Sequence, residues 1–94
     1  MWMRYLRVCV ARALWRVDHE TEATILALSE ATDDEEAYTR RYAAVTLCEM
    51  GLLASNSATD LIKLLSDKDH TVRAAATNAL KAVNLELAAK AGVN

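Results

Sequence analysis

Three stretches of the chain carry apolar and small residues in one register: LRVCVARALWRV (6–17), TRRYAAVTLCEM (39–50) and VRAAATNALKAV (72–83). Arg7, Arg40 and Arg73 serve as anchors, and they stand 33 residues apart. Three residues after each anchor come Val10, Ala43 and Ala76; after six, Ala13, Thr46 and Ala79. After seven come Leu14, Leu47 and Leu80, and after ten Val17, Met50 and Val83. Just before the anchors stand Leu6, Thr39 and Val72. At about 3.6 residues per turn, these offsets line one side of an α-helix. The pattern predicts three helices burying the same side, with Leu14, Leu47 and Leu80 as equivalent core positions.

Shorter helices are predicted between them. SATDLIKLLS (57–66) places Ala58, Leu61, Ile62 and Leu65 on one face, and TEATILALSEA (21–31) does so with Thr21, Thr24, Ile25 and Leu28. The two align only with a shift of about one turn. Ser55 or Ser57 is placed to cap the later helix, and Gly51 to end the preceding one. The expected helices are 3–17, 21–31, 36–50, 57–66 and 70–83, with a short closing helix over 85–91. A helix–turn–helix unit at a fixed period predicts an all-α fold, an α–α superhelix of about two and a half helix pairs. Residues 1–94 then form a single domain, in which 1–18 is an incomplete first repeat.

Composition supports the class. Of 94 residues, 18 are alanine and 13 leucine, with two glycines and no proline, so helix formers are plentiful and tight turns scarce. A net charge of −2 argues against a general nucleic-acid binder. The charges are nonetheless segregated: residues 1–16 hold four arginines and no acid, and residues 18–36 hold eight acids and no base. Cys9 and Cys48 fall inside helical patterns and read as reduced, packed thiols of a cytoplasmic protein. The opening MWMRYLRVCVARALW is interrupted by arginines, which excludes a secretory or membrane segment.

The stretch LLSDKDHTVRAAATNALKAV resembles the second half of a HEAT repeat of the short, phycobilin-lyase-like type. TRRYAAVTLCEMG is similar to the same pattern, with Cys48 where that family often has glycine. The resemblance implies that an aspartate ends each first helix and an arginine six residues later opens the second. Asp34 and Arg40 fit those positions, as do Asp67 and Arg73. Such pairs are expected to form a ladder of hydrogen bonds tying each repeat to its neighbour, each worth about 1.5–3 kcal/mol. The resemblance covers residues 6–83 and implies a scaffold fold rather than a particular activity.

No catalytic constellation stands out. His19-Glu20 resembles one of the His-Glu pairs of deoxyhypusine hydroxylase, a HEAT-type di-iron enzyme, but the other histidine, His70, is followed by threonine. Asp67, Asp69 and Thr71 look like part of a calcium loop, yet the required glycine and closing glutamate are missing. No serine or cysteine has the surroundings of an activated nucleophile. No cofactor or metal site is expected.

Offsets 1, 5 and 8 lie opposite the predicted stripe. They hold Val8, Arg12 and Trp15, then Arg41, Val45 and Cys48, then Ala74, Asn78 and Lys81. In HEAT-like arrays this face of the second helices lines the concave surface. Tyr5, Val8, Arg12, Trp15, Arg41, Val45 and Lys81 are therefore the candidate partner-binding residues. The expected function is a protein-interaction or scaffold module without catalysis of its own. The alternatives are a subunit of a bilin lyase-like or other modifying enzyme and, more weakly, nucleic-acid contact through the arginine-rich first helix. Because that helix is apolar on nearly every side, self-association through it is also expected.

Overall fold

The computed structural model describes residues 2–18 and 21–92; for residues 2–5, 7, 14, 17 and 18 it describes the backbone alone. The chain runs through α1 (Trp2–Asp18), α2 (Thr21–Ala31), α3 (Ala37–Met50), α4 (Ala58–Leu64), α5 (His70–Val83) and α6 (Leu85–Lys90). Gly51–Ser57 forms two short 3-10 turns joined at Ala54. No strand occurs among the described residues. α1, α3 and α5 lie side by side, and α2 and α4 back them, so the architecture is the all-α helical repeat that the periodicity predicts.

Caps account for several boundaries. The Asp69 carboxylate accepts hydrogen bonds from the N–H groups of Thr71 (2.8 Å) and Val72 (3.3 Å), filling two of the open donors at the start of α5. The Asn84 side chain accepts from Leu87 N–H (3.0 Å) and starts α6 in the same way. Gly51 ends α3 at φ 59°, a left-handed conformation that a side chain would strain, and its N–H bonds back to Cys48 and Leu47 carbonyls. Ser57 precedes α4 as expected but makes no capping bond; its hydroxyl is buried without a partner within the chain.

The predicted stripe is buried in the second and third repeats. Thr39, Ala43, Thr46, Leu47 and Met50 of α3 are all within the core, as are Val72, Ala76, Ala79, Leu80 and Val83 of α5. Leu28, Leu61 and Leu64 meet them from the backing helices. In α1 the expectation is wrong. Leu6 and Val10 are 46% and 49% exposed and Ala13 is exposed, whereas Val8 is 2% exposed, Ala11 is buried and Trp15 packs half-buried against the core. The helix is turned by roughly one residue, about 100°, from the register of the other two. Its physical reason is the side carrying Val8, Ala11, Arg12 and Trp15, which joins the largest described apolar side chain of α1 to an arginine with partners on α3. Leu14 lies outside the described side chains.

Candidate functional site

The ladder is built from two kinds of bond. Arg40 reaches back six residues, donating from Nη1 to the carbonyls of Asp34 (2.8 Å) and Glu35 (3.0 Å). Its other edge reaches forward to the next repeat, where Nε and Nη2 grip both carboxylate oxygens of Asp67 at 2.7 and 3.0 Å. Both side chains are only 9% exposed. Arg73 repeats the backward bond, donating from Nη1 to the Asp67 carbonyl at 2.6 Å. Each aspartate also closes its own turn: Asp34 accepts from Glu36 N–H and Asp67 from Asp69 N–H, both at 2.9 Å. The hydrogen bonds from Arg40 hold the Asp67 carboxyl below its ordinary range, and Asp67 in turn raises Arg40. Asp34 sits 27 residues after Arg7, as Asp67 does after Arg40, but the Arg7 side chain is not among those described.

A second inter-repeat connection ties α1 to α3. Arg12 donates from Nε and Nη2 to the two carboxylate oxygens of Glu49, each at 2.7 Å, and from Nη1 to the Tyr42 hydroxyl at 2.9 Å. Its guanidinium also lies 5.6 Å from the centre of the Tyr42 ring. Glu49 is held below its usual range chiefly by the Arg12 hydrogen bonds. The pattern of apolar positions could not have shown this pairing, because Glu49 and Tyr42 lie on a helix two elements away.

The candidate partner-binding residues therefore separate into two sets. Arg41 and Val45 are exposed on α3, and Lys81 is half-buried on α5, close in sequence to exposed Ala74 and Asn78. Val8 is buried within the chain's own core and so is no part of a wet outer face; Trp15 and Arg12 are half-buried by contacts inside the chain. Tyr5 falls outside the described side chains, and His19 and Glu20 fall outside the described residues.

Charge divides by layer. α1, α3 and α5 hold eight of the eleven basic residues but two of the thirteen acids, Asp18 and Glu49. Glu49 is occupied by Arg12, which leaves the outer surface of α3 and α5 positive. Among the described residues, no group of three or more His, Cys, Asp or Glu side chains is placed to hold a metal ion. No described helix is long and apolar enough to cross a membrane. The family described as HEAT repeats matches residues 25–91. No curated protein and no solved structure matches the chain.

Proposed function

The chain belongs to the HEAT-repeat family, and from that premise we propose that it is a protein-docking module with no catalysis of its own. Repeats of this family commonly mediate contacts between proteins, so the question is which surface this chain offers. The observation that carries the reading is the outer face of α3 and α5. It presents Arg41, Val45 at 43% exposure, Ala74 and Asn78, none of which is needed for the core. By contrast, Arg40 of the ladder and Arg12 of the α1 connection are engaged in holding the repeats together. Basic and apolar groups interleaved on a rigid helical face suit recognition of another polypeptide.

The test is affinity capture by the native chain against Val45→Asp and Arg41→Glu, with bound proteins quantified by mass spectrometry. Both variants should keep the native circular dichroism and melting temperature while losing a common set of captured proteins. If neither substitution changes what is captured, this face is not the docking surface.

A further inference from the structure

We draw no further inference here: the strongest candidate, the surface patch beyond the C-terminal ends of α3 and α5 where Leu52, Leu53 and Leu85 are exposed, carries nothing because no feature of the structure shows what covers it.

Discussion

At the scale of single residues, Arg40 and Asp67 decide most. They face each other at 2.7 Å with little water around either, so each stands in for the other's hydration. Truncating one leaves a buried charge unpaired, at a cost of about 3–5 kcal/mol. A domain of this length has roughly 5–14 kcal/mol in total, so Arg40→Ala should remove a large share of the stability and lower the urea midpoint sharply. Arg40→Ala combined with Asp67→Asn should cost much less than the sum, because the two changes remove one interaction. The pH dependence has a definite sign. The folded-state carboxyls of Asp67 and Glu49 lie below their ordinary values, so their contribution is present above the unfolded carboxyl range. It disappears as pH falls through the folded values. Stability should be level near neutral pH and fall below about pH 4, and Asp67→Asn should flatten that fall. The six-residue spacing from aspartate to arginine was legible in the sequence. What was not legible is that the short-range bond goes to a carbonyl, while the carboxylate is taken by the arginine of the preceding repeat.

At the scale of elements, α5 was readable because it has one apolar side and a clear polar remainder, and α3, less one-sided by itself, because it repeats the α5 register 33 residues earlier. Leu47→Ala should cost about 2–5 kcal/mol, as for other leucines with no exposed surface, whereas Val45→Ala should change stability little. Thermal melts of the two variants check the helix phase directly. Helix starts were less readable, since serine, aspartate and asparagine all cap well in principle. The structure separates them. Asp69→Ala should lower stability by about 1 kcal/mol, because two backbone donors lose their acceptor. Ser57→Ala should be neutral or stabilising, because it removes a buried hydroxyl without a partner in the chain. A large loss from Ser57→Ala would assign that hydroxyl a capping role after all. α1 was misread in phase because the periodicity favours the side of Leu6, Val10 and Ala13, which the structure leaves exposed. The side it buries, with Val8, Ala11 and Trp15, also carries Arg12, a charge that a pattern of apolar positions assigns to solvent but that is bonded to Glu49 and Tyr42.

At the scale of the whole molecule, the backbone spans 33 × 26 × 14 Å, so the repeats form a thin slab in which most helices keep one side near solvent. The sequence predicts that α1 buries its outward face against another chain or another copy, with Val8 and Trp15 on that face. Instead, Val8 belongs to the core and Trp15 packs against it, so their apolar surface contributes to the stability of the single chain. Trp15→Glu separates the two roles. Burying a carboxylate where a half-buried indole stood removes packing and adds desolvation, and a loss of about 2 kcal/mol is expected. For a domain of this length that corresponds to a fall in melting temperature of roughly 8–16 °C. If Trp15 serves the single chain, the fall is independent of protein concentration and the sedimentation coefficient of the folded fraction is unchanged. A variant that sediments more slowly than the native chain, with its melting point preserved at low concentration, would instead return Trp15 to a contact between copies.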